Sequence, residues 1–197
     1  MTRTSLDNTK LGKTTIVAFL ADIFARRGSE SYLGEDVSMS EHMLQGAWLA
    51  EQEGAADELV IAALLHDVGH YTGEFGTYSP DDTEDKYHDA AGAKVLAPYF
   101  PAVIVECVRL HVAAKRYLCA KEASYYDRLS DASIHSLSLQ GGPMNEEEVR
   151  VFESNPYHRQ AIKVRHWDDQ GKVSGMKTKT FSDYTDMLQK VVDSHMS

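Results

Sequence analysis

Leu59-Val60-Ile61-Ala62-Ala63-Leu64-Leu65-His66-Asp67-Val68-Gly69-His70 is an apolar helical run that ends in a histidine–aspartate doublet and a further histidine. Almost no face of the segment Asp57–Gly69 is polar, which predicts a helix at the centre of a bundle. An imidazole and a carboxylate side by side at the end of such a helix are costly unless something pairs with them. A metal ion is the usual partner, because carboxylate oxygen and imidazole nitrogen together suit Fe, Mn or Zn. Further histidines lie on both sides, at His42, His88 and His111.

Outward from this run, helical periodicity dominates. Thr14 to Arg26 carries one apolar stripe and stops at Gly28, and Ser40 to Glu53 reads as a second helix with Ser40 as N-cap and Gly54 as its end. Residues 71–87 read as a loop from their Gly, Pro and Asp content, and a loop this long in a compact domain is more often functional than idle. Helices are predicted at 88–97, 101–118, 122–139, 146–153 (capped by Asn145), 156–168 and 181–195. With no strand pattern, the expectation is an all-α bundle over 1–170, followed by a linker and tail helix over 171–197.

The chain has 197 residues, enough to bury a substantial core, and 43% hydrophobic residues mark it as globular rather than disordered. A net charge of −10 argues against a nucleic-acid backbone as partner. No run approaches the roughly 18 apolar residues of a membrane span, and the polar N-terminus does not read as a signal peptide. Cys107 and Cys119 form neither a metal-type spacing nor a disulfide framework, and both read as core residues. A cytoplasmic protein is the simplest expectation. Oligomeric state has no signature in the sequence.

A lone histidine on an apolar helix is more often a hydrogen-bonded core residue than a ligand. The doublet, and several helices each bringing one such group, shift the balance toward a metal centre. Structural zinc would favour cysteine, and none is suitably placed. Four histidines and two aspartates suffice for two metals sharing one carboxylate, and Asp67 is the natural bridge.

His42, His66-Asp67 and Asp168 match the H…HD…D pattern of the HD-domain superfamily, whose fold is an all-α bundle and whose members are mostly phosphohydrolases. Narrower strings are Tyr32-Leu33-Gly34-Glu35, Glu41-His42, Leu64 to His70, His111 to Cys119, Gly141 to Glu148, and Arg165 to Asp169. In order and spacing these resemble the HD-domain mixed-valent di-iron oxygenases that cleave carbon–phosphorus bonds. The resemblance runs from about residue 10 to 170.

It implies one iron held by His42, His66, Asp67 and Asp168, and a second held by Asp67, His88 and His111. It implies that His70 and Lys115 bind the phosphonate, with Ser133 and Arg165 as further candidates. Tyr32 would occupy the substrate iron at rest, and Glu35 would receive the substrate's cationic nitrogen. Asp67, Tyr32, His70 and Lys115 are thus the candidate catalytic residues. Lys115 follows His111 by four residues, one turn along the same helix face, where a cation would meet a metal-bound anion.

The implied reaction uses an Fe(II)/Fe(III) pair and O2 to oxidise C1 of a small zwitterionic 1-hydroxyalkylphosphonate, giving a carboxylic acid and phosphate. In the resembling family the substrates are 2-amino-1-hydroxyethylphosphonate, which yields glycine, and its N-trimethyl analogue, which yields glycine betaine. Quaternary ammonium prefers aromatic faces and negative charge. Tyr71, Phe75, Tyr78 and Tyr87 among Glu74, Asp81, Asp82, Glu84 and Asp85 tip the expectation toward the trimethylated substrate. The rivals are a metal-dependent phosphohydrolase of the same fold and a non-catalytic ligand-sensing module.

Overall fold

A computed structural model describes residues 11–72 and 83–196. Its helices are α1 (Ile16–Arg27), α2 (Met39–Gln52), α3 (Asp57–Leu65), α4 (Gly69–Thr72), α5 (His88–Leu96), α6 (Ala102–Lys121), α7 (Asp131–Leu139), α8 (Glu146–Ser154), α9 (His158–Gln170) and α10 (Thr185–His195). Short 3₁₀ turns lie at Tyr126–Arg128 and Phe181–Tyr184. Among the described residues there is no strand, only an isolated bridge between Ser31 and Ser38. The fold is the expected all-α bundle. None of its described helices is long and apolar enough to cross a membrane.

α3 is the axis. Val60 through Leu65 are all buried, and the helix packs against α2, α6, α9 and α10. Its Val, Ile and two Leu side chains each contribute roughly 1.5–3 kcal/mol by leaving water. The same core takes in Phe181, Tyr184, Leu188, Val191 and Val192 from beyond residue 170, with Phe181 against Phe24 at 4.4 Å. Cys107 is buried in that core, as expected, and Cys119 is partly covered.

Several boundaries differ from the sequence reading for local reasons. The N-cap of α2 is Ser38, not Ser40: Ser38 Oγ accepts the Glu41 N–H, and the Glu41 carboxylate accepts the Ser38 N–H at 2.7 Å. Ser40 instead lies against Gly28, where an added Cβ would come 2.8 Å from the Ser40 Cβ. Gly28 is therefore required by close approach, since its backbone is ordinary right-handed helix.

α3 stops at Leu65 rather than running to Gly69, because His66 Nδ1 donates to the Ala63 carbonyl at 2.7 Å and the next bonds are three-residue turns. The doublet thus sits on a turn. Gly69 then passes so close to α5 that an added Cβ would lie 1.7 Å from the His88 carbonyl oxygen.

The helix expected over 122–139 is broken: the chain turns at Tyr126–Arg128, and Ser130 caps α7 by accepting the Ser133 N–H at 3.3 Å. Asn145 caps α8 with Glu148 in a full capping box, as expected. Of the 71–87 loop, Tyr71 is helical and packs edge-on to Phe24 under Arg27, while Tyr87 is exposed with a left-handed backbone. Neither presents its ring to the pocket described below. Glu74, Phe75, Tyr78, Asp81 and Asp82 lie outside the described residues.

Candidate metal centre

The six expected ligands converge from five elements. α2 brings His42, the turn after α3 brings His66 and Asp67, α5 begins with His88, α6 brings His111, and α9 brings Asp168. All are buried except His88, which is 12% exposed at its side chain.

They form two pairs of imidazoles around one carboxylate. His42 Nε2 and His66 Nε2 are 3.0 Å apart, and Asp67 Oδ2 lies 3.5 and 3.4 Å from them. His88 Nε2 and His111 Nε2 are also 3.0 Å apart, with Asp67 Oδ1 at 3.4 and 3.3 Å. Asp168 Oδ1 joins the first pair, 3.4 Å from His42 Nε2 and 3.9 Å from His66 Nε2.

Tautomers sharpen the chemistry. His42 Nδ1 contacts the Gly171 carbonyl at 2.8 Å, His66 Nδ1 the Ala63 carbonyl at 2.7 Å, and His111 Nδ1 the Val108 carbonyl at 2.7 Å. A carbonyl can only accept, so each Nδ1 carries the proton and each Nε2 of a neutral ring presents a lone pair. Between His42 and His66, two lone pairs facing each other at 3.0 Å repel unless a cation stands between them. Asp168 Oδ1 is likewise buried without a hydrogen-bond partner.

A proton could serve the first pair. Burial alone would lower His66, but Asp67 and Asp168 raise it to about 9. In the second pair, burial pushes His111 below its ordinary value against the pull of Asp67, which leaves its Nε2 lone pair available to a cation. Imidazole nitrogens and carboxylate oxygens around both gaps fit two metal ions, with His42, His66 and Asp168 around one.

The carboxylates are ready to serve as anions. Burial opposes ionisation of Asp67, but His66, His111 and His42 hold it well below the usual carboxylate range. Asp168 is likewise held low against burial, mainly by Arg165, whose Nη1 donates to Oδ2 at 2.6 Å. Arg165 is itself buried and also holds Asp169, the Tyr125 hydroxyl at 3.0 Å and Ser133 Oγ at 3.4 Å. Tyr125 closes the set by donating to Asp169 at 2.5 Å.

Over the two pairs lies a pocket lined in part by Tyr32, His70, Lys115, Ser133, Ser136 and Arg165. Lys115 is 3% exposed and donates to Ser136 Oγ at 2.7 Å. Burial, with Arg165 next, pushes its ammonium down to about 7. Tyr32 stacks on His42 at 3.8 Å, and burial with Asp67 raises its phenol well above 10. Leu33 (φ 50) and Gly34 (φ 84) reverse the chain directly after it, and Leu33 also lines the pocket.

His70 stacks on His88 at 4.1 Å, and both of its ring nitrogens are buried without partners. Burial and His88 keep it well below its ordinary value, so it stays neutral. Glu84, Asp85 and Lys86 line the same pocket.

Glu35 is the exception among the expected site residues. It lines an adjoining depression with Leu33, Asp131 and His135, and its Oε1 is buried without a partner. Sequence reading missed Ser136, one turn after Ser133 on α7, and Asp169 and Tyr125 behind Arg165. It also missed Lys172, whose ammonium donates to Ser133 Oγ at 3.0 Å. The i,i+3 spacing of Ser133 and Ser136 could have signalled the first; the last has no local signature.

The profile of the HD domain matches residues 39–152, and the chain belongs to the HD-domain family. Within that family it stands among the phosphonate oxygenases. It is 57% identical over 190 residues to the 1-hydroxy-2-(trimethylamino)ethylphosphonate dioxygenase (glycine-betaine-forming) of Leisingera caerulea, covering 96% of this chain and 97% of that one. It is 44% identical over 156 residues to the hydroxymethylphosphonate dioxygenase of Gimesia maris, covering 79% and 78%.

Proposed function

We propose that this protein is a metal-dependent oxygenase that cleaves the C–P bond of a 1-hydroxyalkylphosphonate. Its foremost substrate is 1-hydroxy-2-(trimethylamino)ethylphosphonate, released as glycine betaine and phosphate. The observation that carries the reading is the division of Asp67, with Oδ2 turned to His42 and His66 and Oδ1 to His88 and His111. One carboxylate so placed could be shared by two iron ions, one of which His42, His66 and Asp168 would hold and the other His88 and His111. Near full-length similarity to a dioxygenase acting on the trimethylated compound supports the substrate.

An Fe(II)/Fe(III) pair held at these positions supplies activation of O2 and oxidation at C1. The overall change balances without an external reductant: the hydroxyphosphonate dianion plus O2 gives the carboxylate, hydrogen phosphate and one proton. Four electrons pass from substrate to O2.

The chain's own groups bind and orient. Lys115 and Ser133 hold the phosphonate oxygens, and the buried neutral His70 faces the same group. Arg165 takes up Asp168 Oδ2, so Oδ1 is the oxygen that would hold a metal. Tyr32 is a phenol that can stand in the substrate's place and be displaced by it. Carboxylates at Glu84 and Asp85 in the same pocket, and Glu35 beside it, complement a cationic nitrogen.

The test is anaerobic loading with iron, an electron paramagnetic resonance spectrum, and then O2 uptake against phosphate release. The trimethylated, free-amine and hydroxymethyl phosphonates are compared. A mixed-valent signal with one phosphate released per O2 is expected, fastest on the trimethylated compound. Phosphate-ester hydrolysis with Mn or Zn, and no O2-dependent phosphate, would overturn the assignment in favour of a phosphohydrolase.

A further inference from the structure

Ser133 and Ser136 lie one turn apart on α7, both buried, and each takes a lysine ammonium: Lys172 Nζ lies 3.0 Å from Ser133 Oγ, and Lys115 Nζ 2.7 Å from Ser136 Oγ. The two hydroxyls are nevertheless in different states. Ser136 Oγ accepts from Lys115 and donates to the Ser133 carbonyl at 3.1 Å, so its proton is used. Ser133 Oγ accepts twice, from Lys172 and from Arg165 Nη2 at 3.4 Å. Neither ammonium nor guanidinium can accept, so both lone pairs of Ser133 Oγ are occupied and its proton must point elsewhere. No acceptor for that proton occurs among the described residues, and Ser133 lines the pocket.

The placement of Lys172 is built into the backbone on both sides of it. Gly171 O receives the His42 Nδ1–H at 2.8 Å. Val173 N–H donates to Gln45 Oε1 at 2.9 Å, and Gln45 Nε2 donates back to the Val173 carbonyl at 2.9 Å. At Gly171 an added Cβ would come 3.0 Å from the His42 carbonyl and 3.1 Å from that of Trp167, so the segment lies tight against α2 and α9. Lys172 therefore leaves a backbone pinned to the helix that carries His42. Its ammonium reaches Ser133 beside the Tyr32 ring, 5.9 Å from the ring centroid. Among the described residues it makes no ion pair, whereas Arg165 is taken up by Asp168 and Asp169.

We propose that Lys172 is a positioning residue for substrate binding: by donating to Ser133 Oγ it turns the Ser133 hydroxyl proton into the pocket, toward an oxygen of the bound phosphonate. This rests on the phosphonate reading above. It assigns to Ser133, and not to Ser136, the hydroxyl that donates to the ligand.

The experiment is a double-mutant cycle on iron-loaded protein, with two readouts: the Kd for inorganic phosphate under anaerobic conditions, and KM against kcat for the hydroxyphosphonate. Lys172→Met keeps the length of the side chain but not the donor. It should weaken phosphate binding and raise KM roughly tenfold, the scale of one hydrogen bond to a charged group, with iron content and kcat little changed. Lys172→Arg should restore most of the loss. In a Ser133→Ala background, Lys172→Met should cost less than about twofold, because its partner is gone.

An equal loss in both backgrounds would overturn the proposal. So would unchanged affinity in Lys172→Met, or loss of iron as the main effect of that variant. A wild-type protein that binds phosphate and shows the Lys172 effect, yet consumes no O2, would sink the oxygenase reading alone. Normal turnover with an indifferent Lys172 would sink the proposal alone.

Discussion

The two halves of the histidine–aspartate cluster share Asp67 and the same 3.0 Å spacing of facing Nε2 atoms, yet they are built differently. In the half made by His42, His66 and Asp168, every group is buried and braced from behind: two imidazoles by backbone carbonyls, the carboxylate by Arg165. In the half made by His88 and His111, only His111 has such a brace among the described residues, and His88 is partly exposed. His88 begins a helix straight after the left-handed Tyr87 and stacks on His70 at the pocket. A site fixed on all sides suits an ion that stays in place. A site with an open flank suits one that takes up and releases substrate oxygens.

The largest effect should come from removing what the halves share. Asp67→Ala is expected to lose both ions by elemental analysis and to abolish turnover, by at least the roughly 10³-fold that one preorganised electrostatic contact is worth. Full iron retention in that variant would break the bridging arrangement. Next, His88→Asn should empty the open half selectively, leaving about one iron per chain and no turnover, whereas His66→Asn should compromise both. Equal loss from either substitution would mean that the two halves do not differ.

A smaller effect separates binding from metal retention. Lys115→Met should keep its iron and raise KM by roughly ten- to a hundredfold, since a hydrogen bond to a charged group is worth about 1.5–3 kcal/mol. The pH dependence follows from the position of this ammonium at about 7. Its charged form binds the anion and predominates below that pH. KM should therefore rise through pH 8 and 9, approaching tenfold per unit, while Lys115→Arg, which stays charged, should be flatter. A wild-type KM that is level from pH 6 to 9 would contradict this. The smallest effect is on the scaffold: Ser38→Ala removes the cap of the helix carrying His42 and should cost about 1 kcal/mol, a fall in Tm of roughly 2–4 °C, without altering KM.

Much of this arrangement is legible in the sequence. The unbroken apolar run from Leu59 to Leu65 marked the central helix, because only a helix surrounded by others can be apolar on every face. The HD pattern and its neighbours located residues that do converge, His88 and His111 among them. What escaped were features decided by competition or by distance along the chain. Ser38 and Ser40 are both acceptable caps in isolation, and Glu41 decides between them by reaching back to Ser38. His66 ended its own helix through a side-chain bond that no periodicity encodes. Lys172 reads as a linker lysine until Gln45, more than a hundred positions earlier, is seen holding Val173.

Gly69 has no functional group, but it decides how far apart the chemistry can sit. Where its hydrogen faces α5, the backbone of His88 comes nearer than any carbon would allow, and the neighbouring Gly92 is bare on the opposite side of the contact. The two residues act as a zero-thickness shim between the turn that carries Asp67 and the helix that begins with His88. Any side chain inserted there would lengthen the reach from the shared carboxylate to the open half while leaving the closed half alone. The separation of the two imidazole pairs is thus set by an atom that is missing from the chain.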